Sequence, residues 1–274
     1  MADIKIAVMV ENMRMDFREA VKLVRTWGVV GAQIGAPLHL DSAGRKELVS
    51  FMDGEGVAIS AICAWGGEVD LCEKEGLQGH IETAFRLLDL AAELGCKIWQ
   101  GHVGIMPWEP VGERWETLMS AIQPIAKHGE EVGAVLAMET GPEPPAVLKR
   151  VIETVGSPTL RINYDPANFI LWPPMLASRD GVPYDKEKAI ADFMPNEGVN
   201  VIGDYVVHTH AKDALVLEDG TPLEVPLGEG WVDWPHYIGL LKQHGFEGYY
   251  AIEREVGADP VKNIREAVDF LRNV

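Results

Sequence analysis

Two hydrophobic periods take turns along the chain. Short apolar runs occur at 4–10 (IKIAVMV), 31–35 (GAQIG), 57–63 (VAISAIC), 97–103 (KIWQGHV), 134–139 (AVLAME), 160–165 (LRINYD), 204–210 (DYVVHTH) and 249–253 (YYAIE), and each predicts a strand. Segments 17–27, 44–52, 81–94, 114–132, 145–155, 187–194, 234–245 and 260–273 place apolar residues three and four apart, which predicts amphipathic helices. Several of these carry Pro in the first turn or Gly just past the end. Eight strand–helix units without a Ser/Pro-rich linker predict an α/β fold, a (β/α)8 TIM barrel in one domain over 1–274. An open doubly wound sheet is the alternative, but it usually shows a glycine-rich turn after its first strand, and VENMRMDF (10–17) has no glycine.

A barrel brings the C-terminal ends of its strands to one face, so polar residues closing the strands converge there. The fifth to eighth predicted strands close with Glu139, Asp165, His210 and Glu253, each behind a mostly apolar run. Buried carboxylates are costly unless paired or metal-bound, and a divalent cation compensates three at once. Three oxygen donors and one nitrogen suit Mn2+, Mg2+, Co2+ or Zn2+, and the lack of thiolate ligands argues against a closed structural zinc site, so one catalytic divalent metal ion is expected. Taken singly, each acid reads equally well as a helix cap or half of a surface ion pair. The coincidence at four adjacent strand ends favours the metal.

Charge narrows the partners. Lys and Arg number 24 against 42 Asp and Glu, a formal charge of -18, which repels polyanions: no nucleic acid is expected, and a neutral sugar, polyol or keto acid is preferred over a highly phosphorylated substrate. Cys63, Cys72 and Cys96 are too few for a disulfide framework and fit a reducing cytoplasm. The opening MADIKIAVMVENM carries acids and lacks the basic region of a secretory signal, and no apolar stretch nears the roughly 20 residues that span a bilayer, so a cytoplasmic protein with no membrane partner is expected.

ETGPE (139–143), NYDPAN (163–168), VVHTHAKDA (206–214), PLGEGWVDW (226–234) and GYYAIERE (248–255) resemble, in order and spacing, the sugar phosphate isomerase/epimerase family. These are the xylose isomerase-like TIM barrels, related to the AP endonuclease 2/endonuclease IV superfamily. The first half of the chain resembles them only in its strand–helix rhythm. The resemblance implies that Glu139, Asp165, His210 and Glu253 ligate the metal, and it places Asn168 at a substrate-contacting position. His102, closing the fourth strand, matches a position that ligates metal in the endonuclease IV branch and is assigned here to substrate contact. His208 shares a strand face with His210 and either lines the site or is a packed core imidazole. Lys212 either neutralises an oxyanion or pairs with Asp213. Trp65 and Trp108 offer indole faces for the apolar side of a sugar ring, whereas Trp99, inside a strand, reads as core. Glu143 and Arg254 sit beside ligand positions, where they contact substrate or serve as ordinary surface charges.

The expected function is a metal-dependent sugar isomerase or epimerase, in which the catalytic residues Glu139 and Glu253 remove and return a proton through a metal-stabilised enediolate. Dehydration of a polyol of the inosose type uses the same residues. An endonuclease IV-like phosphodiesterase fits less well: Ile62, Cys63 and Ala64 supply no histidine at the end of strand three, and 218–227 lacks the acid and histidine that complete a metal cluster. A sugar-binding barrel without turnover is the remaining alternative, and a homo-oligomer is compatible with the family. The stretch 171–187 reads as a long loop that covers the site or meets a neighbouring chain.

Overall fold

The computed structural model describes residues 4–274; Met1–Asp3, which open both the stretch judged against a secretory signal and the predicted domain, lie outside the described residues. The strands are β1 (Lys5–Met9), β2 (Gly31–Gly35), β3 (Ala58–Cys63), β4 (Ile98–Gly101), β5 (Val135–Glu139), β6 (Leu160–Tyr164), β7 (Val206–Ala211), β8 (Asp213–Val216), β9 (Pro222–Val225) and β10 (Tyr249–Ile252). The helices are α1 (Phe17–Thr26), α2 (Ser42–Glu55), α3 (Leu77–Glu93), α4 (Glu113–Val132), α5 (Pro145–Val155), α6 (Asn168–Arg179), α7 (Lys186–Phe193), α8 (Val199–Ile202), α9 (Trp234–Gln243) and α10 (Pro260–Asn273).

Eight parallel strands close into a barrel in the order β1-β10-β7-β6-β5-β4-β3-β2, while β8 and β9 form a separate antiparallel hairpin. Ala7 pairs with Ala251 on one side and Gly31 on the other, so the first strand seals the barrel against the last. Small residues suit this seam: a Cβ on Gly31 would run into the Tyr249 ring. Local chemistry starts the helices as the pattern predicts. Asp16, Asp41, Asp185, Asp233 and Asp259 each accept a backbone N–H from the first turn of the following helix. The helices pack apolar stripes onto the barrel, and Trp99, Trp234, Tyr164, Tyr237 and Phe169 are among the large side chains wholly buried there. No described helix is long and apolar enough to cross a membrane.

The structure corrects the sequence reading at 171–187. The first part of that stretch is helical, because α6 runs from Asn168 through Arg179 with Pro173 and Pro174 inside it. Two prolines remove amide donors and normally break a helix. Here Asp165 Oδ1 anchors the start by accepting the Ala167 and Asn168 amides at 2.8 and 3.1 Å, and Phe169, Ile170 and both prolines are buried. Packing overrides propensity. The β8–β9 hairpin also lies outside the predicted elements.

Candidate functional site

Four strand ends converge as the pattern expects. Ligand atoms of Glu139, Asp165, His210 and Glu253 all lie within 4.8 Å of one another, and all four residues are buried. They come from β5, the residue after β6, β7 and the residue after β10, which are consecutive around the barrel. His210 Nδ1 stands 3.1 Å from Glu253, 3.2 Å from Glu139 and 3.6 Å from Asp165. These contacts are short without being hydrogen bonds: His210 Nδ1 and Asp165 Oδ2 have no hydrogen-bond partner although both are buried. Unpaired polar atoms aimed at a common point suit coordination, since ligands around a small divalent ion sit ~3–4 Å apart when each is ~2.1 Å from it. The donor set fits one such ion.

The barrel interior fixes which imidazole nitrogen faces that point. His210 Nε2 is 3.0 Å from Gln33 Oε1, which can only accept there, and 3.2 Å from Asn163 Nδ2; against burial, Glu253 and Glu139 hold the ring well above the ordinary histidine range, so it carries both protons until a cation takes the place of the one on Nδ1. Below it, Ser60 Oγ and Asn163 Oδ1 occupy the two nitrogens of His208 at 3.2 and 2.9 Å, and Asn163 Nδ2 donates to Gln100 Oε1 at 3.2 Å. Burial, with His210 alongside, pushes His208 down to about 3, so it is a neutral member of this layer with no ring nitrogen left for a substrate.

Charge around the cluster is arranged unequally. Burial would raise the Glu253 carboxyl, but His210 and Lys212 outweigh it and hold it well below the ordinary carboxylate range. Glu139 is likewise lowered, with burial opposed by His102 and His210. Asp165, wholly enclosed, is raised because burial exceeds the pull of Lys212 and His210. Lys212 Nζ donates to Glu253 at 3.0 Å and Glu255 at 2.6 Å, and lies 3.8 Å from Asp165. It does not pair with Asp213, which turns the other way and accepts from the Gly228 amide and Trp234 Nε1, pinning 226–234.

The remaining candidates spread over several places. Asn168 Nδ2 donates to Glu139 Oε1 at 3.0 Å and so orients a cluster carboxylate. His102 Nε2 is 3.8 Å from Glu139, its Nδ1 has no hydrogen-bond partner, and Trp172 stands edge-on to it. A Cβ on Gly141 would strike the Trp172 indole, so that close approach needs glycine. Trp65 is buried, edge-on to Trp99 at 4.6 Å, and its carbonyl accepts the His102 amide at 2.9 Å. Trp108 is instead exposed, next to Phe193. Glu143 accepts the Met106 amide at 2.6 Å and is pushed by burial up to about 8. Arg254 is tied to Glu224 of the hairpin at 2.6 Å. Gln33, Ser60, Gln100, Asn163 and Trp172 are site residues that the sequence reading missed. An amide or hydroxyl inside an otherwise apolar strand is the signal that could have found the first four.

A family model described as the xylose isomerase-like TIM barrel matches residues 21–274. The chain belongs to that family. Among curated proteins, the uncharacterised protein MJ1311 of Methanocaldococcus jannaschii is 26% identical over 204 residues, 71% of this chain, and the match spans 58% of that relative's length. The fold is shared with a xylose isomerase domain protein from Planctomyces limnophilus at TM-score 0.78 and 24% identity, covering 98% of this chain and 95% of that one. It is also shared with a probable 3-DHS dehydratase, AsbF, from Bacillus anthracis at TM-score 0.74, 15% identity and coverages of 98% and 99%. D-psicose 3-epimerase from Clostridium cellulolyticum H10, crystallised with D-tagatose, aligns at TM-score 0.72 and 15% identity, with 99% of each chain covered.

Proposed function

We propose that this member of the xylose isomerase-like barrels is a divalent-metal-dependent isomerase or epimerase acting on a sugar-like keto substrate. One observation carries the reading. Glu139 and Glu253 each keep 8% of their surface exposed while Asp165 and His210 keep none, so within the cluster the two glutamates alone reach the opening. They stand on either side of Asp165 and His210 in the strand order, which supports an approach to a substrate from two sides.

Glu139, Asp165, His210 through Nδ1, and Glu253 would hold the ion. A divalent cation bound there supplies Lewis acidity at a carbonyl oxygen and fixes its orientation. The protein's own groups move the proton. Both glutamates are held ionised, so one accepts the proton next to the carbonyl and the other, or the same one, returns it. Lys212 keeps Glu253 charged, and Asn168 keeps Glu139 turned to its place. Delivery to the opposite face of the same carbon gives epimerisation; delivery to the neighbouring carbon gives aldose–ketose isomerisation. The epimerase among the proteins of this fold supports the first, and the dehydratase supports elimination of water as a second reading with the same bases.

The test is solvent-deuterium incorporation into ketoses, keto acids and inosose-type polyols by Mn2+-loaded protein, followed by mass spectrometry. Exchange is expected to fall at least about 1000-fold in Glu139→Gln and in Glu253→Gln. Undiminished exchange in both variants would defeat the assignment. Net loss of water from the product would move it to the dehydratase reading.

A further inference from the structure

A second concavity is lined in part by Pro142, three residues along the chain from Glu139. A groove of about 360 Å³ runs between the β4–α4 connection and the α6–α7 corner, walled by Ile105, Trp108, Pro142, Pro173, Leu176 and Phe193 among others. One layer of residues stands between it and the cluster. Pro142 and Pro173 are the chain neighbours of Gly141 and Trp172, whose close contact abuts His102, and His102 in turn lies 3.8 Å from Glu139.

The chemistry of the groove is selective. Its walls are mainly apolar, and Trp108, 45% exposed, presents an indole there with Phe193 edge-on at 6.2 Å. Its charged rim is satisfied internally: Arg179 pairs with Asp180 at 2.8 Å, Lys188 pairs with Asp192, and Asp185 caps α7. Neither lining cation is left without a carboxylate partner for a phosphate or carboxylate ligand. A free hexose presents mostly hydroxyls and has little to gain from such a wall, whereas a flat uncharged ring does.

We propose that the groove is the subsite for an uncharged aryl group carried by the sugar whose reacting carbons sit at the metal centre. The substrate class is then an aryl glycoside whose sugar ring also carries the ketone that the proton-transfer reading requires, and free monosaccharides bind more weakly. The proposal rests on the sugar reading of the metal centre given above.

Calorimetric titration of Mn2+-loaded protein with the phenyl and methyl glycosides of glucose and galactose, which lack a carbonyl and so report binding without turnover, and with phenol alone, tests it. For at least one sugar the phenyl glycoside should bind about tenfold or more tighter than the methyl glycoside, and phenol should bind more weakly than that glycoside. Leu176→Arg should erase the phenyl advantage while Mn2+ affinity stays within about twofold, and Trp108→Ala should reduce it. Equal affinities, no binding by any glycoside, phenol binding as tightly as the glycoside, or an advantage that survives Leu176→Arg would each overturn the proposal. So would a sedimentation profile showing a dimer that Leu176→Arg dissociates, which would assign the groove to a second copy of the chain. Deuterium exchange into free ketoses needs only the metal centre. Exchange without an aryl preference therefore rejects the groove alone, and an aryl preference without exchange rejects the proton-transfer reading alone.

Discussion

The two halves of the barrel end their strands differently. β5 closes with Glu139, β6 and β10 are followed at once by Asp165 and Glu253, and β7 carries His210 near its end, whereas β1 to β4 close with Met9, Gly35, Cys63 and Gly101 and are followed by Val10, Ala36, Ala64 and His102. One half bears three carboxylates and the other bears none at those positions. Yet the uncharged half is not passive. It sends Gln33, Ser60 and Gln100 into the interior, and the first of these offers an acceptor to Nε2 of His210 from the opposite half. Ligands thus come from one half and their orientation partly from the other. A further seam lies above, where Glu143 after β5 accepts the Met106 amide of the connection after β4.

That division can be broken most severely on the charged side. Asp165→Asn keeps the side-chain oxygen that caps α6 but removes an anionic ligand, and Mn2+ affinity by calorimetry should fall on the order of 100-fold or more. An unchanged affinity would remove Asp165 from the site.

The seam comes next. The folded Glu143 carboxyl is pushed up by burial to about 8, so between the ordinary carboxyl range and that value the folded protein holds a proton that the unfolded chain has released. Its contribution is therefore intact in acid and is lost as the pH rises through about 8. Relative to Glu143→Gln, the wild type should lose about 2 kcal/mol of unfolding free energy between pH 6 and 8, at roughly 1.4 kcal/mol per unit where the difference is complete. Parallel denaturant-derived stability curves for the two proteins would contradict this.

The uncharged side should matter less. Gln33→Leu removes the acceptor facing His210 Nε2 and is expected to weaken Mn2+ binding about tenfold, with the histidine nitrogen shifts in NMR reporting the change directly. Cys63→Ser, at the end of β3, replaces a free thiol that no hydrogen bond ties to the cluster, and should alter metal affinity less than about threefold.

The same contrast explains what could be read from sequence. A carboxylate or imidazole behind an apolar run is conspicuous, so the four converging residues stood out. Strand and helix periods were also legible, because most barrel elements are short, amphipathic and capped by Asp or ended near Gly. Gln33 and Asn163 were not conspicuous, since a lone amide within a strand says nothing of the residue it meets across the barrel. Pro173 and Pro174 concealed α6, whose stability comes from burial and from a cap three residues upstream. The β8–β9 hairpin did leave a trace, the Asp219-Gly220 pair between two apolar runs, but four-residue strands are too short for a period to declare itself. The splitting of Lys212 and Asp213 to opposite tasks follows from strand alternation, though sequence alone leaves open which of the two faces the site.

The most direct test of a single cation held by Glu139, Asp165, His210 and Glu253 is a crystal of Mn2+-soaked protein examined by anomalous scattering at the manganese edge. One peak per chain is expected at the centre of these four residues, ~2.1–2.3 Å from each ligand atom, with His210 bound through Nδ1. No peak there, or a second of equal height beside it, would contradict the account.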